Sequence, residues 1–220
     1  MGTSTRRTIP RLKDILNNSK FDDANNMSVN DFKLVLQKLL FPHGRRSIQH
    51  SNIMSSVTST NFIKSIKKII DFSKKYKSSG VFGFGIPNFH DYTFDEQIDL
   101  IADEIVESEN PELKQSIKDI LYANGIDKVF SETEQLVIEV FKKYIERKIQ
   151  GYLVEEFAIR NEKFADENFY NLLDVAISLT ISKILTHQNV NTLVLKCDED
   201  IFITKWVDSN VELILEGVVV

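Results

Sequence analysis

The sequence predicts an all-α protein, a helical bundle preceded by a flexible N-terminal arm. Two observations carry this. Gly and Pro number only 8 and 4 in 220 residues, too few for the many tight turns of a β fold. From residue 31 onward, apolar residues return at intervals of three and four, and good capping residues stand ahead of several of these runs. Apolar residues make up 42% of the chain and charged residues 27%, the composition of a protein with a packed core. The length suits one domain or two small helical subdomains.

The elements follow in order. Residues 1–30 are polar, basic and Asn-rich, with one apolar cluster at Ile9, Leu12, Ile15 and Leu16. Ser28 and Asn30 can cap a helix from near Asp31, whose apolar set is Phe32, Leu34, Val35, Leu36, Leu39 and Leu40, and Pro42-His43-Gly44 ends it. Residues 43–60 read as a polar linker. Asn61 is placed to cap a basic helix from Phe62 to Lys75, with Ile63, Ile66, Ile69, Ile70 and Phe72 inward and Lys64, Lys67, Lys68, Lys74 and Lys75 outward. The segment SSGVFGFGIPNF is the one Gly-rich stretch and reads as a turn between two regions.

Beyond it, Thr93 caps a helix with Asp95 and Glu96 in its first turn, carried by Phe94, Ile98, Ile101, Ala102, Ile105 and Val106. Asn110-Pro111-Glu112 opens the next, which stops at Asn124-Gly125. Ser131-Glu132-Thr133-Glu134 has capping-box form ahead of a long helix through Leu136, Val137, Val140, Phe141, Ile145, Ile149 and Leu153. A further helix spans about Asp166 to His187, with Leu173, Ile177, Leu179 and Ile181 in its apolar set. In the last thirty residues TLVLKC and IFITKWV have strand character, but Asp198 can cap a helix running to Glu216, and the helical reading is preferred.

Charge divides the chain. Residues 1–80 hold 15 Lys/Arg against 5 Asp/Glu; residues 81–220 hold 12 against 27. The sequence therefore suggests three regions: a flexible polar and basic tail (1–30), a basic helical region (31–80) and an acidic helical bundle (81–220). Either the basic part meets a polyanion or acidic partner, or the two parts attract each other within one fold.

Most chemistry is excluded. One cysteine, Cys197, makes no disulfide framework and no Cys-based zinc site. The four histidines are scattered, so no metal or other cofactor is expected. The glycines at 80, 83 and 85 do not match the dinucleotide pattern, and there is no Walker motif. No run approaches the ~18 apolar residues of a membrane span, and no apolar h-region follows the basic N-terminal residues, so a cytoplasmic protein is expected. Arg45-Arg46-Ser47-Ile48-Gln49-His50 has Arg-x4-His spacing and resembles the catalytic motif of the all-helical HEPN ribonucleases. That resemblance implies RNA cleavage at a dimer interface with Arg45 and His50 in the pocket. Lys64, Lys67 and Lys68 leave nucleic-acid binding as a third reading.

The features combine into one further resemblance. A Gly2-Thr3-Ser4 start, a helix of DFKLVLQKLL type, a polar linker, a second helix, a Gly-containing loop, then TFDEQIDLIADEIVES, a helix like 111–123 and VFKKYIERKIQGYLVEEF follow one another. In this order they resemble, as a divergent relative, QatB, the small helical component of the Qat anti-phage defence system. The resemblance implies a protein that is not an enzyme. Its partners would be a QueC-like enzyme (QatC-type), an ATPase and a TatD-like nuclease, and it could form a homo-oligomer. QueC enzymes use ATP to activate the carboxylate of a 7-deazaguanine. Met1 is removable ahead of the small Gly2, and the exposed α-amino group, with a pKa near ~7.7–8, is partly neutral and nucleophilic at cytosolic pH. Gly2 is therefore the expected acceptor of a deazaguanine-type base, with Thr3, Ser4 and Thr5 slim enough to follow it into an active site. Arg6 occupies the position where N-myristoylation wants Ser or Thr.

Overall fold

Helix α1 (Val29–Leu40) begins behind Ser28, whose Oγ accepts a hydrogen bond from the Asp31 amide at 3.2 Å. The computed structural model describes residues 28–40, 48–106, 110–156 and 167–219. After α1 come α2 (Ile48–Val57), α3 (Thr60–Ser79), 3-10 turns at Gly80–Phe84 and Phe89–Asp91, α4 (Phe94–Ile105), α5 (Pro111–Asn124) and α6 (Ile126–Ser131). The chain continues with α7 (Thr133–Glu156), α8 (Glu167–Ile184), α9 (His187–Leu195) and α10 (Asp200–Val219). Among the described residues the fold is all-α, with no strand.

Where local chemistry is strong, the expected boundaries hold. Thr93 and Glu96 form a reciprocal capping box, and the Asn110 side chain accepts from the Leu113 amide with Pro111 in the first turn. Gly125, at φ 80°, closes α5. Elsewhere the structure differs. The 43–60 linker contains α2, because Ile53 and Val57 bury against the core and outweigh weak local propensity. Ser59, not Asn61, caps α3. Ser131 does not open α7: its hydroxyl donates to the Lys128 carbonyl at the end of α6. The helix expected to reach His187 stops at Ile184, since Thr186 caps α9, and Glu199, not Asp198, accepts the first helical bond of α10. Leu34, Phe94 and Leu179, read as inward, are each about half exposed.

Helix α7 is the hub. Leu136, Val137, Val140, Phe141, Tyr144, Ile145 and Ile149 are all buried, a broad stripe that serves neighbours on several sides. It packs against α2, α3, α5, α6, α8 and α9, while α10 lies on α1, α2, α3 and α8. Buried side chains from Phe32 to Val218 form one continuous core that crosses the change of charge at residue 80.

Opposite charges meet within this fold. Lys67 on α3 pairs with Asp200 on α10. Lys68 donates to the Glu104 carbonyl at 3.0 Å, in the last turn of α4, where the helix dipole favours a cation. Asp99–Lys118 and Asp103–Lys114 tie α4 to α5, and Asp119–Arg147 and Glu112–Lys148 tie α5 to α7.

Candidate functional site

The Gly-rich segment builds a rigid knob at the end of α3. Gly80 (φ 59°) and Gly85 (φ 70°) adopt backbone conformations that L side chains avoid. Between them Gly83 lies against the α3 backbone: a Cβ there would stand 2.4 Å from the Lys75 carbonyl oxygen. Phe84 turns inward and stacks on Phe72 (ring centroids 5.1 Å apart), Tyr76 (5.8 Å) and edge-on to Phe130 (5.0 Å). Phe82, two residues earlier, is 78% exposed, with the His90 ring edge-on at 4.9 Å. Gly83→Ala is expected to lower stability by about 1–3 kcal/mol by forcing the turn off α3. Urea denaturation checks this, and an unchanged midpoint would show that the turn does not lie there.

The surface continues from Phe82. Residues 90–96 are all exposed. They include Tyr92 and Phe94, and the Phe94 ring meets Tyr122 of α5 at 6.1 Å. Gln97 holds this stretch in place, its Nε2 donating to the carbonyls of Phe89 and Tyr92, both at 3.0 Å. The Thr93 amide and hydroxyl both donate to Glu96 and hold its carboxyl below the usual range. Desolvation and then the Asp95 carboxylate push the Tyr122 hydroxyl up. A cleft of about 300 Å³ runs between residues 84–88, Tyr92 and the Leu100–Glu104 edge of α4. Residues 81–110 contain eight Asp/Glu and no Lys or Arg. Four exposed aromatics among acidic residues form a surface suited to cationic groups, which pair with carboxylates and lie over aromatic faces.

A second grouping joins distant parts of the chain. Donor atoms of Asp71, Cys197 and Asp198 lie within 4.8 Å of one another. The Lys74 ammonium donates to Cys197 Sγ at 3.2 Å, a bond that, ahead of the opposing effect of burial, raises the lysine pKa. A cation is thus already built into the one donor set of this kind among the described residues, and Cys197 itself is buried. A third cluster is structural: the Tyr144 hydroxyl accepts from Asn110 Nδ2 at 2.8 Å and donates to the Ser56 carbonyl at 3.4 Å, and burial raises its pKa.

No family model, curated protein or solved structure matches this chain. The residues singled out from sequence are therefore placed by geometry alone. Gly2, Thr3, Ser4 and Thr5 lie outside the described residues, as does Arg45. His50 lies on α2, its side chain outside the described residues. Lys67 and Lys68 face acidic and carbonyl groups of this chain rather than forming an unshared basic stripe. Phe82, Tyr92, Phe94 and Tyr122 were not expected as surface residues. The available signal was two Phe residues separated by a single Gly in GVFGFG, where both cannot pack inward from one short turn. Among the described residues no helix is long and apolar enough to cross a membrane.

Proposed function

We propose that this chain is a non-catalytic component of a bacterial anti-phage defence system, a divergent QatB-like protein. It acts in the cytoplasm and presents its N-terminal tail to a QueC-like enzyme. The observation that carries this reading is the small-residue start Gly2-Thr3-Ser4-Thr5, ahead of a basic stretch and the ordered series of helices described above. Once Met1 is removed, the Gly2 amine attacks the ATP-activated carboxyl carbon of a 7-deazaguanine-type acid. The amine loses a proton, the activating group leaves and an amide remains. Chemistry supports Gly2 as the acceptor, since an α-amine with a pKa near ~7.7–8 outcompetes lysine amines near ~10.4 for the neutral form. An ATPase and a TatD-like nuclease of the same system complete the set of partners.

Intact mass and N-terminal peptide mapping of the protein co-expressed with its genomic neighbours test this. Loss of Met1 together with an added heterocycle on Gly2 is expected. A version with residues appended ahead of Gly2 should carry no heterocycle, while His50→Ala should carry it fully. A bare Gly2 with every neighbour active would sink the reading.

A further inference from the structure

We propose that the acidic and aromatic surface around Phe82 is the docking site for the chain's own basic segment, residues 1–13. The charges are complementary. Residues 1–13 hold Arg6, Arg7, Arg11 and Lys13 and no acid, while residues 81–110 hold eight Asp/Glu, no Lys or Arg, and the single histidine His90 beside Phe82. The local pairings matter as well as the totals. Asp99 and Asp103 pair with Lys118 and Lys114, while Asp91 and Asp95, which stand among the exposed aromatics, meet no Lys or Arg among the described residues.

The side chains match in kind. Guanidinium groups are planar and weakly hydrated, so they lie on aromatic faces while donating to a neighbouring carboxylate. Phe82, Tyr92, Phe94 and Tyr122 supply the faces, and Asp91 and Asp95 the acceptors. Ile9 and Leu12, interleaved with Arg7, Arg11 and Lys13, bring apolar groups to the same surface. The knob is preformed: Gly80, Gly83 and Gly85 fix the turn and Phe84 anchors it in the core, so little ordering is needed on that side.

The linker sets the reach. Residues 14–27 separate the basic segment from the start of the described chain at Ser28. Fully extended, they bridge at most about 46 Å, so docking within one chain requires the Phe82 surface to lie within that path length of Ser28. Docking goes beyond the function proposed above and does not need Gly2 to be modified. If that function also holds, the docked segment keeps the tail against the body until a partner enzyme draws it off.

Photocrosslinking of the full chain tests the proposal. Phe82→p-benzoylphenylalanine places a photoreactive ring at the most exposed aromatic position among the described residues. Irradiation of the purified protein, without partners, is expected to join position 82 to residues 1–13 at monomer mass. Arg6→Glu, Arg7→Glu and Arg11→Glu together should lower the yield about tenfold, as should Asp91→Lys with Asp95→Lys. Combining both sets should restore it, because the charges are then exchanged. Circular dichroism of each variant confirms that the body is folded. Cross-links to any other segment, no cross-link, or cross-links to residues 1–13 only at dimer mass would each overturn docking within one chain. A bare Gly2 in a chain that cross-links sinks the conjugation reading alone. A modified Gly2 in a chain that does not cross-link sinks the docking reading alone.

Discussion

Phe62→Ala is expected to cost about 3–5 kcal/mol of folding stability, a large share of the total for a domain of this size. Phe62 is fully buried on α3. Its ring stacks on Tyr144 at 4.9 Å with only 12° between planes, and meets Phe141 edge-on at 5.0 Å. Both partners belong to α7, so this one side chain fixes the basic helix to the hub. Truncation removes the burial of a large ring, opens a cavity beside two aromatics and strips the Tyr144 ring of its stacking partner. Thermal unfolding followed by circular dichroism should show a midpoint lowered by about 6–20 °C. A loss below about 1 kcal/mol would mean that Phe62 is not a core residue and that α3 is misplaced on α7.

Trp206→Ala is expected to cost a similar amount, about 3–5 kcal/mol, for a partly different reason. The indole meets Phe141, the ring that Phe62 also contacts, at 5.7 Å. Its Nε1–H donates to Asn189 Oδ1 at 2.8 Å. Asn189 Nδ2 donates to the Ile184 carbonyl and to Asn210 Oδ1, and Asn210 Nδ2 donates back to the Trp206 carbonyl. This closed polar network pins α9 and the end of α8 to α10. Trp206→Phe separates the two contributions. It keeps an aromatic ring but takes the donor from Asn189, and about 1–3 kcal/mol should be lost. Chemical denaturation of both variants decides the matter. Equal stability of Trp206→Phe and the native chain would show that the indole bond carries no weight.

Legibility followed the range of the interactions. The Thr93 cap, the Asn110-Pro111 start and the Gly125 stop each depend on residues within about four positions and are legible in the sequence, whereas the reciprocal bond from Glu96 that completes a capping box at Thr93, in place of the one expected at Ser131, is not. Helix α2 is not legible because the polar segment IQHSNIMSSV carries little helical periodicity; burial of Ile53 and Val57 under the later helices makes it helical. Phe94 was assigned inward because it fits the spacing of Ile98, Ile101 and Ile105. It sits in the first turn, beyond the edge of the core, where spacing says nothing about depth. The candidate surface was largely hidden for the same reason. A 3-10 turn lacks the 3.6-residue period, so nothing local told Phe82 from Phe84.

The sequence by itself determined an all-α protein, the segments of most of its main helices, and its division into basic and acidic parts. These rest on composition, on short-range hydrogen bonding and on apolar spacing, all of which are written within a few positions. Only the tertiary structure decided which charges meet. Lys67 finds Asp200 and Lys74 finds the Cys197 sulfur, partners more than a hundred residues apart, while Lys68 meets the Glu104 carbonyl at the end of α4. The tertiary structure alone also decided that Phe84 is core and Phe82 surface. Phe84 packs among Phe72, Tyr76 and Phe130, while Phe82 faces water beside His90.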